Sequence, residues 1–286
     1  LATNGCYSGN STRYWKADVI PNALSDQEFT QFQDFIYRIA GINLSFAKKP
    51  LVVGRLAKRV DHYRLSSFGD YFQLLKSGAH PDEVQMAVDL LTTNETYFFR
   101  EHKHFDFLRD TILAQRSAVK PFRVWSAASS TGQEAYSVAM VLADKLGGQP
   151  WEVIASDIST RVLETARGGH YPLPQAEHIP QDYLSGYCLK GIGAQEGTFL
   201  VARTLRERVT FMQVNLNTQL PKLGDFDVVF LRNVMIYFDM EIKRQVVQRI
   251  AEKIRPGGYL LVGHSESLNG VTDAFRSVKP SVYRKL

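Results

Sequence analysis

The chain has 286 residues, 44% of them hydrophobic, with two cysteines and a formal net charge of +5 at pH 7. That length holds one large α/β domain and a smaller one whose cores need no staples. The isolated Cys6 and Cys188 form neither a disulfide framework nor a metal-ligand pattern, which suits a reducing cytosol. No apolar run reaches the ~18 residues of a membrane span and no signal-peptide pattern opens the chain, so membrane insertion is not expected. Positive charge admits nucleic acid, anionic lipid or an acidic protein as partner without choosing among them.

Residues 1–20 start without Met and show little periodicity, and are read as a tail, either expression-derived or disordered. Ser25-Asp26-Gln27-Glu28 is a capping box opening a helix with Phe29, Phe32, Phe35, Ile36 and Ile39 on its apolar positions and Gly41 as its stop. Further helices are predicted over about 50–64, 67–76, 81–91 and 101–116. This yields an all-helical domain over 21–90 and a connecting segment over 91–120. In the second helix Pro50 suits the first turn, and Val52, Val53, Leu56 and Val60 form an apolar stripe. Arg55, Lys58 and Arg59 fall on another face, either as an ordinary solvated surface or as a docking strip for an acidic helix.

From residue 121 to the end the pattern changes. Strand-like runs at 122–127, 151–156, 209–214, 226–231 and 258–263 alternate with helical runs at 132–146, 159–167 and 239–254, which implies a parallel sheet with right-handed crossovers. The first strand stops at Ala127-Ala128-Ser129-Ser130-Thr131-Gly132 and restarts as a helix, and Asp157 closes the next strand. Small residues bring backbone close to a ligand, and an acid one strand later can take two ribose hydroxyls. The turn lacks G-x-G-x-x-G and fits a pyrophosphate poorly, so the pocket leans from NAD toward S-adenosylmethionine. About forty residues, 168–208, replace a short connection and are read as a small inserted subdomain of antiparallel strands. Runs at 275–278 and 282–285 around Lys279-Pro280-Ser281 predict a hairpin, placing an antiparallel strand last.

Several polar residues have competing readings. Arg100 precedes a helix start, an unfavourable place for a cation unless a carboxylate partner holds it. Glu134 completes Thr131-Gly132-Gln133-Glu134, itself a capping box. Asp157 is a turn acid or a ribose ligand, and Ser159 is the better cap for the following helix. Asn215-Leu216 closes a strand, where an apolar side chain and an amide can flank adenine. Arg232-Asn233 and Tyr237 lie beyond 226–231, where ligands of open α/β sheets gather. His264-Ser265-Glu266 spells a triad only as letters, and structural or pocket-wall roles are expected.

Six segments occur in register: Thr93 to Glu101, Trp125 to Glu134, Ala155-Ser156-Asp157-Ile158, Val214-Asn215-Leu216, Arg232 to Phe238 and Gly263-His264-Ser265-Glu266. Together they resemble the bacterial chemotaxis receptor methyltransferase family, CheR, from about residue 24 to the end. The resemblance implies a class I S-adenosylmethionine-dependent methyltransferase fold, Rossmann-like, with an N-terminal helical domain and an inserted β subdomain. It implies S-adenosylmethionine as cofactor, S-adenosylhomocysteine as product and no metal. It places Asn94, Thr96, Arg100, Glu134, Asp157, Asn215, Leu216, Arg232 and Asn233 on the cofactor, with Arg100 and Tyr237 at the reacting groups. The implied substrate is glutamate on the cytoplasmic domain of a chemoreceptor, with a cytoplasmic enzyme. Some relatives bind a receptor C-terminal tether through the insert, which residues 168–208 can do by strand addition. A nucleic-acid methyltransferase shares the fold, but the chain has no N-P-P-Y or D-P-P-Y signature. A non-catalytic cofactor-binding module would dispense with Arg100 or Tyr237, and both are present.

Overall fold

The computed structural model describes residues 23–116 and 120–286; the tail expected over 1–20 and Cys6 lie outside the described residues. The helical half comprises α1 (Asp26–Ala40), α2 (Lys49–His62), α3 (Phe68–Lys76) and α4 (Pro81–Leu91). Both halves of the Ser25 capping box form, and α1 ends on Gly41 at φ 72°. An added Cβ there would sit 2.7 Å from Ile242, so glycine serves both the left-handed cap and the contact with the sheet domain. Phe29, Phe32, Ile36, Val52, Leu56, Val60 and Tyr71 are fully buried, each side chain contributing about 1.5–3 kcal/mol. Their cluster continues without a break into Trp125, Ile154 and Val229 of the sheet.

The single helix expected over 101–116 is broken. Phe99 and Glu101 adopt φ of 53° and 56°, which a helix cannot include. A five-residue helix α5 (Lys103–Phe107) follows instead, continued by a π turn over Leu108–Ile112 and a 3-10 turn over Leu113–Gln115.

The second half runs β1 (Phe122–Ser126), α6 (Gln133–Leu146), β2 (Trp151–Asp157), α7 (Thr160–Gly168), β3 (His170–Pro172), α8 (Gln181–Tyr187), β4 (Cys188–Lys190), β5 (Thr198–Val201) and α9 (Arg203–Arg206). It closes with β6 (Val209–Gln213), β7 (Phe226–Leu231), α10 (Met240–Ala251), β8 (Ile254–Val262), β9 (Phe275–Lys279) and β10 (Val282–Lys285). The main sheet has the order β6-β2-β1-β7-β8-β10-β9, and β3-β5-β4 form a separate three-stranded sheet. β6, β2, β1, β7 and β8 are parallel, whereas β10 pairs antiparallel with β8. The class I methyltransferase fold with a helical N-terminal domain and a small antiparallel insert is therefore present. Parallel strands covered on both faces require continuous apolar runs, and Val228, Val229, Phe230 and Leu231 of β7 are all fully buried.

Register fixes where ligands go. Ser126 pairs with Ala155 of β2 and with Phe230 of β7, so three strands end side by side while the chain order departs from β1 in opposite directions. Such a switch point opens a crevice at the carboxyl ends of the strands. Among the described residues no helix is long and apolar enough to cross a membrane.

Candidate active site

The crevice is a cleft roofed by residues 92–97. Asn94, Thr96, Arg100, Glu134, Asp157, Asn215, Leu216, Arg232, Asn233 and Tyr237 all line it. Its floor is the turn after β1. The Ala127 amide donates to Phe230 O at 2.9 Å and the Ser129 amide to Ser156 O at 2.8 Å, pinning the turn to both neighbours. Gly132 at φ 97° leaves no room for a Cβ, which would lie 2.9 Å from Ala166 and 3.0 Å from the Tyr171 hydroxyl.

That glycine caps α6 without a side-chain bond, so the capping box over 131–134 does not form. The Glu134 carboxylate instead accepts from Ser126 Oγ at 2.6 Å and from Arg232 Nη1 at 2.9 Å. Ser159 does cap α7, accepting from the Val162 amide. Asp157 accepts from the Ser159 amide at 3.0 Å and the Ser130 amide at 2.9 Å. Burial raises its carboxyl above the ordinary carboxylate value, opposed by these amides and that of Ile158. An ionised carboxylate offers about four lone-pair sites, which leaves acceptors for the cleft.

Arg100 sits in a turn rather than at the first residues of a helix, so no dipole penalty arises. Its Nη1 donates to Glu95 O at 2.9 Å. The Asn94 carbonyl accepts from Ser130 Oγ at 2.7 Å, joining the roof to the floor. Tyr237 closes a 3-10 turn, Met235–Tyr237, and its carbonyl accepts from the Asn43 amide of the helical domain at 2.8 Å. The hydroxyl has no hydrogen-bond partner among the described residues.

Several of the expected residues are also engaged within the protein. Asn215 lines the cleft while its Nδ2 donates to Ile39 O at 2.7 Å and its Oδ1 accepts from the Asn217 amide at 2.9 Å. Arg232 is not an open cation. Its side chain is 1% exposed and lies 3.0 Å from Glu101 and 2.9 Å from Glu134, while Nη2 also reaches Arg100 O. The strip on α2 is interrupted as well. Arg59 forms a two-pronged ion pair with buried Glu83, which also accepts from Tyr71 at 2.6 Å. Arg55 donates to Thr92 O at 2.8 Å, anchoring the roof, and only Lys58 of the three is exposed.

Spacing alone misses the residues that hold these groups. Glu266 is buried and accepts from the amides of Gly263 at 2.7 Å, Asn233 at 2.8 Å and Ile236 at 3.2 Å. A Cβ on Gly263 would meet Asn233 Nδ2 at 2.5 Å and Glu266 Oε2 at 2.8 Å, so the motif 263–266 is a staple under the 232–237 segment. Asn233, at φ 56°, also donates through Nδ2 to Glu101 Oε1 at 3.2 Å. Glu101, His104 and His264 bring potential ligand atoms within 4.8 Å of one another. Arg232 occupies the Glu101 carboxylate, however, and its charge opposes a cation there.

Known proteins share the sequence of both halves of the chain. Residues 27–92 match the family described as CheR methyltransferase, all-alpha domain, and residues 94–284 match the CheR methyltransferase, SAM binding domain. The chain is 41% identical over 260 residues to chemotaxis protein methyltransferase 2 of Pseudomonas aeruginosa, covering 90% of this chain and 92% of that one. It is 42% identical over 264 residues to the chemotaxis protein methyltransferase of Escherichia coli K12, covering 91% of each. Solved structures align more weakly. The glycopeptide N-methyltransferase MtfA complexed with S-adenosylmethionine has a TM-score of 0.35 and 20% identity, over 65% of this chain and 58% of that one. Matched along both its helical and its sheet domain, the chain belongs to the CheR family of S-adenosylmethionine-binding chemotaxis methyltransferases.

Proposed function

We propose that the chain methylates glutamate side-chain carboxylates on the cytoplasmic helices of a chemoreceptor, giving glutamyl methyl esters. The observation that carries this reading is the convergence of Asp157, Glu134, Arg100 and Tyr237 on one cleft at the strand ends. The residues present fit the cofactor: an acid with unfilled acceptors for ribose, a second acid for an ammonium, and a small-residue floor with no cradle for phosphate. When bound, S-adenosylmethionine supplies a methyl group already activated on a sulfonium. An ionised glutamate is already a nucleophile, so its oxygen would take the methyl group as the sulfonium is released, and no residue of the chain would need to move a proton.

The protein's task is then alignment, worth roughly 7–11 kcal/mol in favourable cases. Asp157 holds the ribose hydroxyls and Glu134 the methionyl ammonium. Leu216 and the backbone at Asn215 flank adenine, while Asn94 and Thr96 close the roof. Arg100 pairs with a carboxylate, and the Tyr237 hydroxyl orients the accepting glutamate without acting as a base. Arg232 and Asn233 serve the cofactor indirectly, through Glu134 and the 232–237 backbone. We assign no metal and no nucleic acid to this site. Exposed Lys58 on α2 is the point of contact for the acidic methylation helices, and the free edge of β4, beside exposed Leu189 and Ile192, is the place for a receptor tether strand.

The test is incubation with methyl-labelled S-adenosylmethionine and a receptor cytoplasmic domain. Label that enters the receptor and leaves as methanol in mild base supports the ester. Base-stable label points instead to an amine or ring nitrogen as acceptor.

A further inference from the structure

The residues that touch the cleft are tied together behind it by one carboxylate. Glu101 Oε2 lies 3.0 Å from Arg232 Nη2, and Oε1 accepts from Asn233 Nδ2 at 3.2 Å. Both oxygens lie 3.2 Å from the His264 amide. Arg232 passes the connection on, with Nη1 on Glu134 at 2.9 Å and Nη2 also on the Arg100 carbonyl. One side chain therefore joins the segment carrying Arg100 to the ends of β7 and β8 and, through Arg232, to the start of α6.

We infer that Glu101 is a positioning residue whose negative charge balances Arg232, leaving the Glu134 carboxylate able to hold the ammonium of the cofactor. The inference rests on the reading of Glu134 proposed above. A guanidinium with a side chain 1% exposed must be paired, and a single partner would have to meet its whole demand. With Glu101 in place, the Arg232 charge is shared between two carboxylates. Without it, Glu134 becomes an internal counterion and a second cation must compete for the same oxygens. His104 packs beside the pair, 2% exposed and without a hydrogen-bond partner on either ring nitrogen; neutral, it adds no further charge. The left-handed backbone at Glu101 is also explained, because φ of 56° costs energy that a buried network has to offset.

The experiment is calorimetric titration of S-adenosylhomocysteine into the wild type, Glu101→Gln, Arg232→Met and the double variant. Glu101→Gln is expected to weaken binding at least tenfold. The double variant, which removes the unbalanced cation, is expected to bind more tightly than Glu101→Gln alone. That reversal distinguishes charge balance from simple loss of structure, which would make the double variant the weaker binder. Affinity of Glu101→Gln within twofold of wild type, or a double variant no tighter than Glu101→Gln, overturns the inference. Should Glu101→Gln fail to fold, the double variant decides: folded and binding supports the balance, and unfolded or non-binding overturns it. A wild type that does not bind S-adenosylhomocysteine would count against the function itself rather than against this network.

Discussion

Replacing Asp157 separates the binding role of the site from its structural one. In Asp157→Ala the amides of Ser130 and Ser159, bonded to the carboxylate at 2.9 and 3.0 Å, lose their acceptor. An unsatisfied buried group costs about 1–3 kcal/mol. Asp157 and Ser130 line the cleft, so water entering the space left by the carboxylate would meet these amides, and the variant escapes the burial penalty that raises the Asp157 carboxyl. The expected loss of folding stability is therefore about 1–2 kcal/mol, small enough for the variant to remain folded. Binding should suffer more. Hydrogen bonds to a charged group contribute about 1.5–3 kcal/mol each, and two ribose hydroxyls sharing one carboxylate should together lose about 2–4 kcal/mol, or about 30- to 700-fold in affinity. Urea denaturation and calorimetric titration with S-adenosylhomocysteine measure the two effects on the same sample. Asp157→Asn, which keeps one acceptor, should fall between wild type and alanine in both. A stability loss of the expected size with affinity within twofold of wild type would leave Asp157 a turn acid and refute the ribose assignment.

Other outcomes follow from the same contacts. Tyr237→Phe should lose turnover while S-adenosylhomocysteine affinity stays within about twofold, since the hydroxyl makes no hydrogen bond among the described residues; full turnover would remove its proposed role. Glu83→Gln should destabilise by about 3 kcal/mol in thermal melts, because it breaks a buried pair with Arg59. Lys58→Glu should leave stability alone but raise the Michaelis constant for receptor and flatten its salt dependence; unchanged receptor kinetics would place docking elsewhere. His104 gives a pH signature. Burial lowers its pKa from 6.5 to about 3, so between these values the unfolded chain binds more protons than the folded one. Stability therefore falls as pH drops through 6.5, by about 2 kcal/mol between pH 8 and pH 5, and His104→Leu should abolish that component in denaturant titrations.

The placement of residues at strand ends was legible in the sequence, because a parallel sheet sends its carboxyl ends to one crevice. Asp157, Glu134 and Tyr237 reach the cleft for that reason. The α1 capping box and the antiparallel strand at the sheet's end were legible too, since each follows from neighbours a few residues apart. What failed was any inference that depends on a distant partner. Arg59 has the spacing of a surface charge on α2, and only the approach of α4 reveals Glu83 beneath it. Arg232 reads as a strand-end cation, whereas burial between Glu101 and Glu134 makes it internal. Asn215 reads as a strand-end amide, and its bond to the carbonyl of Ile39, from the other domain, appears only in the fold. The break at 101 was hidden because left-handed backbone at Phe99 and Glu101 reflects tertiary contacts, not propensity.

The most direct measurement is a crystal structure of the complex with S-adenosylhomocysteine. The account predicts ribose hydroxyls within about 3 Å of the Asp157 carboxylate, the ammonium on Glu134, and the sulfur between Arg100 and Tyr237, with Arg232 still held by Glu101. A nucleoside bound with its ribose away from Asp157, or with Arg232 turned into the cleft to contact it, would contradict the account.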